Sequence, residues 1–526
     1  MKLITLPYLV AGILAAPLVQ AESTITVLHT NDFHSRVEPV SKYDSGCSAE
    51  DNTEGKCFGG YARLVTAVAD ARKRNPNAIL VDGGDQFQGS LFYTYYKGKT
   101  AAEIMNTLKY DGMTVGNHEF DDGPAVLRGF MDSVTFPVLM SNADVSNEPT
   151  LQGVLKKSTV IEKDGQKIGL IGLTPEDTDE LASPGKNVTF SDPVAAVQAE
   201  VDLLAAAGVN KIIVLSHSGY GVDLEVAAKV KGVDVIVGGH TNTLLSNTNE
   251  KAKGPYPTMV GDTAVVQAYA YGKYLGELSV TFDDDGKVIS ATGEPLLIDG
   301  QVAEDAATVA RVSELAQPLD EIRNKVVAKT AAVIEGNREV CRVQECQMGN
   351  LVADAMLARV ADQGIDLAIM NSGGIRASID AGDVTMGEVL SVLPFQNTLA
   401  TFQISGAGVL DALENGVSQV EDVKGRFPQV AGITFKWDAS VAPGEGRITE
   451  VLLKDGDDWK PLDPAATYGV VTNNYVRGGG DGYKMFTTDT TNVYDFGPNL
   501  EDVLADYLAG GEPYKPMLDG RISQFR

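Results

Sequence analysis

Five short apolar runs in the first half of the chain each end in Asp, Asn or His, and no other feature constrains the fold as tightly. Ile25–Leu28 leads into His29-Thr30-Asn31-Asp32-Phe33-His34, and Ala78–Val81 into Asp82-Gly83-Gly84-Asp85. Met113-Thr114-Val115 leads into Gly116-Asn117-His118-Glu119-Phe120-Asp121, Lys211–Leu215 into Ser216-His217, and Val233–Val237 into Gly238-Gly239-His240-Thr241-Asn242. The runs are rich in Val and Ile, and helical patterns such as Ala62–Arg74 and Pro193–Ala207 lie between them, so the segment reads as an α/β domain with largely buried strands. Ligands of open α/β sheets bind outside the carboxyl ends of the strands, where these residues fall. The chain has only five His, and four of them (His34, His118, His217 and His240) lie on these ends. His29 sits just inside a strand and reads as structural.

Carboxylate, imidazole and amide oxygen together suit zinc, manganese or a similar divalent ion. Two such ions about 3.5–4 Å apart need one bridging carboxylate, and together they lower the pKa of a bound water and hold charge on phosphoryl oxygens. Other hydrolytic designs are poorly supported, since neither a Gly-rich NTP-binding loop nor Gly-x-Ser-x-Gly is present.

At 526 residues the chain exceeds one hydrophobic core, so two domains are expected. From Asp305 to Val327 the pattern becomes helical, with Val309, Val312, Leu315, Leu319, Ile322 and Val326 at steps of three or four and Pro318 inside as a kink. This divides the chain into 22–303, a helical linker and hinge 304–327, and a second α/β region 328–526. Residues 1–21 read as a signal peptide, with Lys2, an apolar stretch and Val19-Gln20-Ala21 before Glu22, so the mature protein is expected to be periplasmic or secreted without a membrane anchor. An oxidising compartment makes Cys47 with Cys57, and Cys341 with Cys346, two local disulfides, although zinc binding is the alternative for such pairs. A formal charge of −28 argues against a nucleic-acid polymer as partner and requires local cations for any anionic substrate.

The ordered set Asp-x-His, Gly-Asp, Gly-Asn-His-Glu-x-Asp, a lone His and Gly-His-x resembles the calcineurin-like metallophosphoesterase signature. That resemblance implies a four-layer α/β/β/α domain and two divalent ions, zinc first, with manganese, cobalt or magnesium as alternatives. It gives one ion to Asp32, His34, Asp85 and Asn242, and the other to Asp85, Asn117, His217 and His240, with Asp85 bridging. It makes His118 the catalytic imidazole, oriented and charged by Asp121. Asn242 stands where many members carry a second His, a departure that favours the nucleotidase branch.

The second half resembles the nucleoside-binding domain of ecto- and bacterial periplasmic 5′-nucleotidases. The matching pieces are Cys341–Leu351, Asn371-Ser372-Gly373-Gly374-Ile375-Arg376, Leu393-Pro394-Phe395 and Asn474–Gly482. The resemblance implies that Phe395 and Tyr475 sandwich the base. Asp481 would accept from the ribose hydroxyls, Arg342 and Arg376 would hold the phosphate, and Asn371 would contact substrate or help place Arg376. Tyr475 departs from the Phe common in the family. The expected activity is hydrolysis of nucleoside 5′-monophosphates such as AMP, a small-molecule substrate. The alternatives are a nucleotide-sugar diphosphatase, a 2′,3′-cyclic phosphodiesterase with 3′-nucleotidase activity, and a non-catalytic nucleotide-binding protein. Oligomeric state is not legible.

Overall fold

A computed structural model describes residues 22–525, apart from Tyr43, Ser45, Gln396, Asp457, Asp495 and Phe496. The leader expected over 1–21 lies outside these residues. Among the described residues, no helix is long and apolar enough to cross a membrane.

The first half builds two six-stranded mixed sheets. In one, Ser23–Thr30 lies between antiparallel Tyr274–Phe282 and parallel Ile79–Asp82, and Gly112–Thr114 continues in parallel. In the other, Gln166–Leu173, Ile212–Ser216, Val235–Val237 and Thr263–Val266 run parallel. Their inner faces meet through Ile25, Val27, Ile79 and Val81 on one side and Leu170, Ile213, Leu215 and Val235 on the other. Helices cover both outer faces. Tyr61–Arg74 and Lys99–Leu108 bury Leu64, Val68, Ile104 and Met105 against the first sheet, and Pro193–Ala206 buries Val197 and Val201 against the second. The layers are therefore α/β/β/α, and strands covered on both sides explain the continuous apolar runs.

The linker differs from its sequence pattern. The helix runs Ala306–Arg323 with Pro318 inside, and Val326–Thr330 is a strand paired with Gly382–Thr385. Only Leu315, Ala316 and Leu319 of the helix are buried, in the core under the first sheet, whereas Val309, Ile322 and Val326 are exposed. The spacing continued past the helix end because a single turn of helix and a strand both tolerate apolar residues there.

The second half contains a five-stranded sheet, in order Pro428–Ala431, Leu367–Asn371, Thr467–Asn473, Leu399–Ser405 and Thr490–Tyr494, and a separate four-stranded sheet. Helix Gln347–Arg359 packs on one core and Gly406–Gly416 on another. Cys47–Cys57 and Cys341–Cys346 are disulfide-bonded.

Candidate active site and metal centre

Parallel strands from both sheets of the first domain end at one edge, and their next residues turn sharply inward. Asp32, His34, Asp85, His240 and Asn242 all take positive φ, between 50° and 69°. Side chains other than glycine rarely adopt that region, and such strain concentrates at functional sites. Gly116 is needed for the approach, because a Cβ there would meet Asp85 Oδ1 at 2.2 Å.

Two groups of ligand atoms result, Asp32 with His34 and Asp85, and Asp85 with His217 and His240; within each, the atoms lie within 4.8 Å of one another. Asp85 belongs to both. His34 Nδ1 lies 3.0 Å from the Phe87 carbonyl and His217 Nδ1 lies 2.6 Å from the Gly83 carbonyl. With Nδ1 engaged there, each Nε2 is left facing the carboxylates, and His217 Nε2 is 2.8 Å from Asp85 Oδ2. Asn117 Oδ1 lies 3.1 Å from His240 Nδ1. The Asn242 amide donates weakly to Tyr271 Oη at 3.4 Å, while its buried Oδ1 has no hydrogen-bond partner. Convergent carboxylate and imidazole donors beside an orphaned amide oxygen fit divalent cations. Burial works against ionised Asp85, but His217, His118 and His34 outweigh it and hold its carboxyl well below the usual range.

Glu119, the unassigned residue of the Gly-Asn-His-Glu-x-Asp stretch, anchors this edge. Its fully buried carboxylate accepts the backbone N–H groups of Asp85 (3.0 Å), Gln86 (2.8 Å), Phe87 (3.2 Å) and Gly116 (2.6 Å). The position of Glu119 inside the motif was the available signal.

His118 follows on a single 3₁₀ turn, His118–Phe120. Its N–H donates to Asp85 Oδ1 at 3.0 Å, and its Nδ1 lies 2.6 Å from Asp121 Oδ2. Burial lowers the imidazole pKa, but the Asp121 and Asp85 charges prevail and the net shift is upward. His29, by contrast, is fully buried within its strand, 2.8 Å from Tyr256 Oη, and burial pushes it down to about 3, so it stays neutral.

The second domain closes over this edge and leaves a cavity of about 640 Å³ between them, a size suited to a small ligand. Of the expected substrate residues, Arg342, Asn371, Arg376, Phe395, Tyr475 and Asp481 all line it. Asp481 sits in the left-handed region, accepts from Asn371 Nδ2 at 2.6 Å and from Tyr475 Oη at 3.3 Å, and donates its N–H to Tyr475 Oη at 3.2 Å. The extra hydroxyl of Tyr475 thus serves the carboxylate expected to bind ribose. Arg376 Nη2 lies 3.2 Å from His34 Nε2, and its guanidinium lies over Phe395. Phe395 in turn stacks on His118, with centroids 5.4 Å apart and planes at 19°. Buried Arg342 reaches the Val423 carbonyl at 3.4 Å; burial and the Arg338 and Arg376 charges hold its pKa well below the usual arginine range. Arg338 and Lys424 also face the cavity, although neither stood in a recognisable motif.

Residues 25–243 match the family described as calcineurin-like phosphoesterase, and 326–488 match the 5′-nucleotidase C-terminal domain. Calcineurin-like phosphoesterases use divalent metal ions. A snake venom 5′-nucleotidase of Naja atra is 38% identical, over 95% of this chain and 98% of its own. The 5′-nucleotidase of Homo sapiens is 37% identical, over 95% of this chain and 90% of its own. The crystal structure of a 5′-nucleotidase precursor from Thermus thermophilus superposes with a TM-score of 0.90 at 40% identity, covering 95% of this chain and 99% of that one. The likeness thus spans both domains and their mutual arrangement, and the chain belongs to the 5′-nucleotidase family of calcineurin-like phosphoesterases.

Proposed function

We propose that the protein is an exported, metal-dependent 5′-nucleotidase that converts nucleoside 5′-monophosphates such as AMP to nucleoside and phosphate. The observation that carries this reading is the single cavity lined both by Asp85 and His118 and by Phe395, Tyr475 and Asp481. A nucleotide is the ligand that needs both ends. Asp32, His34, Asp85 and Asn242 would hold one divalent ion, and Asp85, Asn117, His217 and His240 the other, with zinc as the first choice for this donor set. When bound, the ions would activate the attacking water and neutralise charge on the transferring phosphoryl group.

The protein's own residues do the rest. Asp121 holds the His118 imidazole charged and oriented, so that His118 stabilises the phosphoryl or leaving oxygen. Arg342 and Arg376 bind phosphoryl oxygens with planar donor forks. Phe395 and Tyr475 take the faces of the base, and Asp481, held by Asn371, accepts from the ribose hydroxyls. Phe395 rests on His118, so nucleotide entry requires the domains to part. The junction between Arg323 and Val326 is the proposed hinge, and it separates the phosphoesterase domain (22–303) and its helix from the nucleoside-binding domain (328–526).

The test is a panel of AMP, 3′-AMP, 2′,3′-cyclic AMP and UDP-glucose given to the mature protein, with and without chelator. Metal-dependent phosphate release with AMP as the preferred substrate supports the reading. Preference for UDP-glucose or the cyclic nucleotide would replace it with a nucleotide-sugar diphosphatase or a cyclic phosphodiesterase.

A further inference from the structure

Each ligand group has one imidazole touched by one cation from the second domain. On the His34 side that cation is Arg376, at 3.2 Å. On the His240 side it is Lys424, whose Nζ lies 3.5 Å from His240 Nε2. Arg338 stands beside it and donates from Nη2 to the His240 carbonyl at 3.0 Å. Among the described residues, the nearest carboxylate to Lys424 is Asp177, at the 4.0 Å limit of an ion pair, and no carboxylate lies within ion-pair distance of Arg338.

The backbone is shaped to present this lysine. Val423 has φ of 56°, a conformation strongly disfavoured for a β-branched residue. The next turn is clamped by Gly373 N–H donating to the Gly425 carbonyl at 2.8 Å. The two glycines pack backbone to backbone, since a Cβ on Gly425 would meet Gly373 Cα at 2.8 Å. Gly373 belongs to the segment that carries Asn371 and Arg376, so one clamp positions cations on both sides of the site.

An ammonium held this close to an imidazole of a divalent-ion site would be repelled once the ion is bound, unless an anion lies between. We infer that Lys424 and Arg338 form a second anion-binding flank, on the His240 side, which grips the free oxygens of a terminal phosphate and selects dianionic phosphoryl groups over monoanionic diesters. This rests on the proposed phosphohydrolase reading and adds a specificity element to it. A terminal phosphate carries three unsubstituted oxygens and two charges, so it engages the Arg376 flank, the metal side and the Lys424 flank together. A diester presents two unsubstituted oxygens and one charge, and gains less from the added cations.

The experiment uses the zinc-loaded mature protein and the variants Lys424→Met, Lys424→Arg, Arg338→Met and Asp177→Asn. Inorganic phosphate is titrated calorimetrically into each, and kcat and KM are measured for AMP and for bis(p-nitrophenyl) phosphate. Lys424→Met is expected to weaken phosphate binding by about tenfold, the loss of one charge-assisted hydrogen bond, and to raise KM for AMP by a similar factor. Its AMP-to-diester ratio of kcat/KM should fall, Arg338→Met should fall in the same direction, and Lys424→Arg should recover most of the affinity. Asp177→Asn should bind phosphate at least as well as the wild type, because it removes only a competing anion. Unchanged phosphate affinity in Lys424→Met would overturn the inference. So would an equal loss in Asp177→Asn, which would make Lys424 an interdomain latch. Failure of the wild type to release phosphate from AMP sinks the nucleotidase reading instead, and the phosphate titrations still decide this one.

Discussion

The two halves of the cavity are built by opposite means. In the first domain the ligand side chains stand at the ends of parallel strands, five of the seven on left-handed backbone, and converge so closely that Asp85 serves two groups. In the second domain the residues stand at strand ends and on the short helical turns that follow, and are satisfied by one another, as Asp481 is by Asn371 and Tyr475, and Asn371 by Asn473 at 2.9 Å. The first half is poised for cations it does not itself supply, while the second is a preformed polar cradle. The difference implies a division of labour, with turnover set chiefly by the first half and substrate affinity by the second.

The largest expected effect comes from breaking the shared ligand. Asp85→Ala should lower kcat by at least about 10³-fold and cut the bound metal, read by phosphate release and metal analysis. His118→Ala keeps the ligand set and should cost about 10²–10³-fold in kcat, with metal content unchanged. On the other side of the cavity, Phe395→Ala should act mainly on KM, raising it roughly tenfold through lost base stacking. Equal losses of kcat for Phe395→Ala and His118→Ala would break the proposed division. Tyr475→Phe removes only the hydroxyl that meets Asp481, and should raise KM for AMP about threefold while leaving 2′,3′-dideoxy-AMP, which lacks the ribose hydroxyls, unaffected.

The smallest effect sharpens the contrast from the far end of the second sheet of the first domain. Asp234, at the amino end of Val235–Val237, accepts the Ile212 N–H at 2.7 Å, and burial pushes its pKa up to about 7. Its folded pKa is above its unfolded one, so the folded state binds the extra proton between about pH 4 and 7 and stability falls as pH rises through that window. Asp234→Asn keeps an acceptor and loses the charge. Its stability advantage over the wild type should grow by about 4 kcal/mol from pH 4 to pH 8 in the metal-free protein, measured by thermal unfolding. A buried acid whose burial outweighs the nearby Lys211 charge is a burden at that end, whereas Asp85 among its histidines is not.

The same contrast explains what was legible. Strands covered on both faces leave apolar runs, and a polar residue ending such a run stands out; Asp32, Asp85, Asn117, His217 and His240 could be picked from the sequence for that reason. The left-handed backbone of Asp32, Asp85 and His240 could not, because it is imposed by neighbouring elements. The one-turn helix Asn474–Arg477 and the turn Gly478–Gly482 are too short to carry periodicity, so Tyr475 and Asp481 were readable only through family resemblance. Glu119 was in view, but its partners are backbone amides that no side-chain pattern encodes. Lys424 and Arg338 meet His240 only through the packing of two domains. The extent of the linker helix was overrun because Val326, the first residue of the following strand, fits its spacing while facing solvent.

The most direct test of the central claim is re-metallation of chelator-treated protein, with bound metal and phosphate release from AMP followed in the same samples. The account predicts no release without metal, full activity only as two ions per chain are reached, and no recovery in Asp85→Ala. Full activity in chelator, or at one ion per chain, would contradict it.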